Sequence, residues 1–195
     1  MEGPGQTAAE LTSNLPLPVS MPAAQIGDSD IEAEVMILFE EYRTPLLRYA
    51  VSFGVPVSDA EEIVQEVFVS LFLHLRLGKS RRNLRSWLFR VAHNLTLKRR
   101  HANKRLSDIV VNNPNIADAQ SNQVPTPEES YSQSERQRRL LAVVQSLPVA
   151  DQSCLRLRAE GLRYREIAGI LGISLGSVSA FLTRSLAKLI RADRG

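Results

Sequence analysis

Between Arg76 and Arg105 the chain carries eleven lysines and arginines and no carboxylate. Guanidinium and ammonium groups gathered this densely repel one another unless a polyanion neutralises them, and on phosphates they act by releasing counterions. A second stretch, residues 136–195, holds eleven basic groups against four acidic ones. Between the two, residues 106–135 carry five acidic groups and no basic one, and residues 1–75 carry twelve carboxylates against two arginines. The pattern implies two phosphate-binding surfaces separated by a segment that avoids phosphate.

A finer signal lies in residues 164–183, YREIAGILGISLGSVSAFLT. Ala168, Gly172 and Val178 occupy places five, nine and fifteen of that run, the spacing of a helix-turn-helix. Ala168 has to be small where the two helices touch, Gly172 permits the positive φ of a tight turn, and Val178 packs the second helix on the first. Ile167, Leu171, Ile173 and Leu182 fill the other buried places. Ser174 is a natural N-cap for the second helix, and Gly161 a stop for the helix before the motif. The second helix then faces a DNA major groove, with Ser174, Ser177, Ser179, Ala180, Thr183, Arg184 and Lys188 as candidate contacts. Hydroxyls bond phosphates or base edges without releasing counterions, and an alanine methyl reads only a thymine methyl. Arg163 and Arg165 are therefore the candidate phosphate anchors, and Phe181 joins Val178 and Leu182 in the core.

Other reactive side chains have plainer readings. Asp59, Glu61 and Glu62 suit the positive end of a helix dipole, so they need no catalytic role. His74, His93 and His101 have no metal-ligand spacing and no cysteine partners. Cys154, the only cysteine, is read as a small core residue of a cytosolic chain without disulfides. With no Gly-rich phosphate loop or nucleophile motif, no catalytic residue, metal or cofactor is expected. No run of eighteen apolar residues occurs, and the N-terminus lacks a basic n-region, so neither membrane insertion nor secretion is expected and the chain reads as cytoplasmic.

These residues need elements to hold them. Residues 1–29, rich in Pro, Ala, Ser and Gly, are expected to be a disordered tail. A helical pattern starts at Ile31 and continues through Val35, Leu38, Phe39 and Tyr42. Pro45 is expected to break or kink it before Leu46, Leu47 and Ala50 resume the stripe. Ser58 and Glu61 form a capping-box signature for a helix reaching about Leu75, with Ile63, Val64, Val67, Phe68, Leu71, Phe72 and Leu75 facing the core. Its outer face mixes Glu62 and Glu66 with Val69 and Leu73, which fits either a docking surface or scattered exposed apolar groups. A third helix covers Leu84 to Lys104, its core stripe formed by Leu84, Trp87, Leu88, Val91, Ala92 and Leu95. At about 100° per residue, Arg90, His93, Arg100, His101 and Lys104 point away from that stripe. Residues 106–134 have the composition of a flexible linker. Helical periodicity returns at Leu140, Leu141, Val144 and Leu147 and runs to about Ile190. The fold expected is all-α: two small helical domains, a three-helix bundle at 30–105 and a helix-turn-helix domain at 135–192.

The segments SDAEEIVQEVFVSLF, LRSWLFRVAHNLTLKRRH and LPVADQSCLRLRAEGLRYREIAGILGISLGSV occur in the order found in bacterial RNA polymerase sigma factors of the extracytoplasmic-function (ECF) type, and the chain resembles that family. The likeness covers Phe39–Arg105 (the family's region 2) and Glu135–Arg191 (its region 4). It implies a promoter-specificity subunit whose partners are core RNA polymerase, promoter DNA and an anti-sigma factor. The helix Ser58–Leu75 resembles the polymerase-docking element, with Asp59, Glu62, Gln65, Glu66, Val69 and Leu73 as contacts. Arg76–Ser86, with Arg81, Arg82 and Arg85, resembles the loop that holds a flipped base of the minus-ten element. Arg90, His93, Asn94, Arg100, His101 and Lys104 fall where upstream minus-ten DNA is read. The helix Ser174–Arg191 corresponds to the minus-thirty-five reader, and the acidic linker to a segment threaded through the core enzyme. Two departures stand out: Ser179, Ala180 and Phe181 replace a Lys-Ser-Arg run common in relatives, and His93 replaces an arginine. Two other readings compete. A sigma-like decoy that only titrates an anti-sigma factor would not need the basic block at 76–105, and a free-standing helix-turn-helix regulator would not need the region 2 helices.

Overall fold

The computed structural model describes the backbone of residues 28–111 and 129–194, and side chains over 28–105 and 135–194. The described residues form seven helices and no strand: α1 (Asp28–Ser52), α2 (Val57–Arg76), α3 (Leu84–Val111), α4 (Glu129–Ser146), α5 (Val149–Ala159), α6 (Tyr164–Leu171) and α7 (Leu175–Arg194). The expected tail lies outside the described residues up to position 27, and α1 starts earlier than expected, at Asp28. Most of the expected linker, 112–128, also lies outside them, while its flanks belong to α3 and α4.

Helix α2 buries Ala60, Ile63, Val64, Val67, Phe68, Leu71 and Leu75, the stripe its sequence periodicity marks. Its start differs from expectation. Pro56 holds the N-cap place with an extended ψ of 150°, and neither Ser58 nor Glu61 makes a cap bond. Proline presets the entry conformation and gives up only an amide that a helix start leaves unpaired.

Pro45 does not break α1, which is continuous from Asp28 to Ser52. An interior proline costs about 3 kcal/mol. Leu46, Tyr49 and Ala50, just beyond it, are buried, and burying a large apolar side chain returns about 1.5–3 kcal/mol each. Packing of that last turn and a half outweighs the lost backbone bond.

The buried face of α3 is rotated from the expected stripe. Leu88, Phe89, Ala92, His93 and Thr96 are buried, while Leu84, Trp87, Val91 and Leu95 are half-buried. Two sides of α3 are covered, one by α1 and α2 and the other by α6, so a single-sided stripe is the wrong template.

In the second half, α7 packs on α4, α5 and α6, and an Arg136–Asp193 ion pair ties the start of the described α4 surface to the end of α7. Leu141, expected in the core, is exposed, and Leu147, Leu157, Leu162, Ile167 and Ile170 fill the interior with Val178 and Leu182. Gly172 adopts φ 66°, a left-handed conformation that caps α6. Ser174 Oγ accepts the Ser177 amide at 3.0 Å, and α6 and α7 turn through 105°. The turn, its glycine and its serine cap are those the sequence motif implies.

The two halves share one continuous core cluster. Arg48 Nε donates to Glu160 Oε1 at 2.8 Å across 112 residues of sequence. The Arg156 guanidinium lies 4.1 Å from the centre of the Phe53 ring. Burial, with a smaller contribution from nearby Arg100, pulls the Arg156 pKa down to about 10.

Candidate nucleic-acid interface

Three surfaces carry the candidate residues. On α3, Arg90, Asn94, His101 and Lys104 are exposed and, at steps of four, seven and three residues, share one face. Arg99 points the other way and pairs with Asp59 at 3.2 Å and Glu62 at 2.9 Å on α2. Arg100 is half-buried beside Arg156.

His93 does not point outward. The residue is 7% exposed, its Nδ1 lies 2.8 Å from the Tyr49 hydroxyl, and burial lowers its pKa. Tyr49 in turn meets Phe53 and Phe89 edge-on, with ring centres 5.2 and 5.7 Å apart. The expectation that His93 faces DNA is therefore corrected: the aromatic cluster joining α1 to α3 has taken it inward, where the Tyr49 hydroxyl gives Nδ1 a hydrogen-bond partner.

In the loop before α3, Arg81 Nε donates to Glu34 at 2.9 Å, which fixes it on α1. Arg82 is exposed. Arg85 Nη2 donates to the Glu160 carbonyl at 2.7 Å, so its tip reaches into the second half of the chain. A Cβ at Gly161 would come within 3.3 Å of that same Nη2, and Gly161 has φ 81°, so both space and backbone favour glycine there.

Ser174, just before α7, and Ser179, Ala180 and Thr183 on it are exposed. Ser177 is half-buried, with its hydroxyl 2.9 Å from that of Ser174. Arg184 places Nε 2.9 Å and Nη2 2.6 Å from the two oxygens of Asp151, which is fully buried. Leaving that carboxylate buried without its cation would be costly, so Arg184 serves as a structural partner of Asp151, with 51% of its side chain still exposed. Lys188 remains exposed, and Phe181 packs half-buried against the core with Arg184 over its ring.

On α2, Glu62, Gln65, Glu66, Val69 and Leu73 are exposed, the last two at 60% and 50%, in one outward stripe. Asp59 is more enclosed, held by Arg99 and by Asn103 Nδ2 at 2.9 Å.

Between the halves lies a cleft of about 940 Å³ whose walls carry Arg82, Arg85 and Arg90 on one side and Arg163 and Arg165 on the other. Trp87 and Tyr164 line it too. Trp87, read from sequence as core, is half-buried and meets His74 at a 43° tilt with ring centres 4.7 Å apart. Glu160 is a structural residue that sequence reasoning missed. Nothing in the sequence links it to Arg48 or Arg85, and only the tertiary fold brings them together.

With this geometry in place, comparison with known proteins is specific. Residues 38–106 match the family model Sigma-70 region 2, and residues 137–189 match Sigma-70, region 4. RNA polymerase sigma factor NccH of Alcaligenes xylosoxydans xylosoxydans is 30% identical over 154 residues, spanning 78% of this chain and 82% of that protein. ECF RNA polymerase sigma factor SigE of Mycolicibacterium smegmatis is 31% identical over 134 residues, 67% of this chain and 50% of that protein. The fold is shared with CnrH, solved in complex with the cytosolic domain of CnrY, at TM-score 0.60 and 22% identity over 84% of this chain and 90% of that one. It is also shared with the sigma factor RpoE solved with the anti-sigma factor NepR from Bartonella quintana, at TM-score 0.57 and 18% identity over 84% and 96%. The chain belongs to the ECF-type RNA polymerase sigma factors. Its partners are accordingly core RNA polymerase and promoter DNA, and it directs transcription initiation at specific promoters. No single helix among the described residues is long and apolar enough to cross a membrane.

Proposed function

We propose a division of labour among the three surfaces. The α2 stripe of Glu62, Gln65, Glu66, Val69 and Leu73, with Asp59 at its edge, docks on core polymerase. Region 2 reads the minus-ten element: Arg82 at the loop, and Arg85, Arg90, Asn94, Arg100, His101 and Lys104 along α3, with Arg81 bracing the loop through Glu34. Region 4 reads the minus-thirty-five element through Ser174, Ser177, Ser179, Ala180 and Thr183, while Arg163, Arg165 and Lys188 hold phosphates. The observation that carries this reading is the line Arg90–Asn94–His101–Lys104: four exposed polar groups on one helix face, none paired with a carboxylate among the described residues.

The protein works in the cytoplasm by binding alone, without a reaction or cofactor of its own, and is held in check by an anti-sigma factor. The segment 106–134 serves as the spacer between the two readers. Adding the purified chain to sigma-free core polymerase on a promoter library tests the whole reading. Promoter-specific transcripts are expected, and their absence with an anti-sigma factor still captured would make the chain a decoy.

A further inference from the structure

The cleft between the halves has an unusual charge balance. Arg82, Arg90, Arg163 and Arg165 make no ion pair with any described residue. Glu166, the one carboxylate in the lining, already accepts the Ser86 hydroxyl at 3.2 Å and the Arg163 amide at 2.7 Å. Five guanidiniums are thus gathered around one space with a single, already bonded counter-charge. Guanidinium is the side chain best matched to phosphate, through paired N–H donors in one plane. Trp87 and Tyr164 add flat apolar faces of the kind on which bases stack. At about 940 Å³ the cleft has the size of a small-molecule site.

We propose that this cleft binds a small polyphosphate anion, an inorganic triphosphate or the triphosphate of a nucleoside, which bridges the two domains and holds them together. Each wall comes from a different domain, so an occupant adds its binding energy to the closed arrangement already tied by Arg48 and Glu160. The site goes beyond promoter reading but draws on some of the same arginines, and the anion therefore competes with promoter phosphates for them.

Trp87 is the chain's only tryptophan, so its emission reports occupancy of the cleft. The full-length protein is titrated with sodium tripolyphosphate and with GTP at constant ionic strength, with chloride as control. A saturable, one-to-one change is expected with both. Equal affinities assign the site to the phosphate chain, and tighter GTP binding assigns it to a nucleotide whose base lies on a ring. Replacing Arg163 and Arg165 together by alanine should weaken binding by about tenfold or more, as lost charge-assisted bonds require. Arg48→Ala cuts the interdomain pair from its exposed side and should also weaken the anion, since binding needs both walls, with the helical circular dichroism signal unchanged. A change that never saturates, or affinities unaltered by both variants, overturns the proposal. Promoter-directed transcription is scored on the same proteins. Its failure while saturable anion binding persists supports the cleft and counts only against the assignment of DNA contacts.

Discussion

Regions 2 and 4 are both basic, yet they deploy their charge differently. Along α3 the cations at Arg90 and Lys104 stand exposed and without an ion pair among the described residues, with Asn94 and His101 between them. On α7 the one arginine near the reading face, Arg184, is held by the buried Asp151, and what remains exposed there is Ser179, Ala180 and Thr183. Segment charge therefore overstates what reaches DNA: internal carboxylates take their share first. On the proposed division of labour, region 2 would attract a backbone, and the recognition helix of region 4 would sample base edges with little electrostatic pull.

The sharpest way to break that contrast is salt dependence. Replacing Arg90 and Lys104 by alanine should reduce the slope of log affinity against log salt for holoenzyme–promoter binding by about 0.9 per lost phosphate contact, and cost the largest loss of affinity. Ser179→Ala should leave the slope unchanged. If both act alike, the contrast is wrong.

Next in size is polymerase docking. Glu66→Lys combined with Leu73→Ala should weaken core binding by about 1–2 kcal/mol, as for an interface anchor, with the helical signal intact. A pull-down showing undiminished core affinity would remove α2 from the interface.

Arg184→Ala should act on region 4 as a stability change, lowering its thermal midpoint because Asp151 is left buried and unpartnered, with minus-thirty-five preference retained. A variant with normal melting but relaxed preference would return Arg184 to the DNA.

Ser179→Ala should relax minus-thirty-five preference by about 1 kcal/mol, the low end for a base contact. Ser177→Ala should do less to preference, because that hydroxyl is already bonded to Ser174. Footprinting on matched and mismatched promoters separates the two serines.

The smallest effect concerns pH. Burial holds the His93 imidazole below its ordinary 6.5. As pH falls through that value, the unfolded chain takes up a proton that the folded chain refuses, so stability drops. His93→Gln should flatten the acid side of a melting-temperature profile, and an unchanged profile would mean that His93 is protonated in the fold.

What could be read from sequence follows from what is local. The α2 stripe, the Gly172 turn and the Ser174 cap are set by residues within a few positions of each other, and they stand where periodicity and turn chemistry put them. Apart from the Ser58 cap, displaced by Pro56 two residues before it, the main misreadings involve partners far along the chain. His93 looked outward because Tyr49, which turns it inward, lies 44 residues away. Arg184 looked free because Asp151 lies 33 residues before it. Pro45 looked like a break because the burial that carries α1 past it comes from other helices. The closed arrangement of the two halves, and hence the cleft, had no sequence signal, since Arg48 and Glu160 are 112 residues apart.

The proline inside α1 has one more consequence. Without an amide at position 45, the Glu41 carbonyl has no backbone donor one turn on, and the helix is one hydrogen bond weaker there. Its first part is fastened by Ile31 and by Glu34 to Arg81, and its last by Leu46, Tyr49 and Ala50. Amide hydrogen exchange should therefore divide this single helix into two protection blocks meeting at Pro45. The earlier block should open independently, and the later one should exchange with the bundle as a whole.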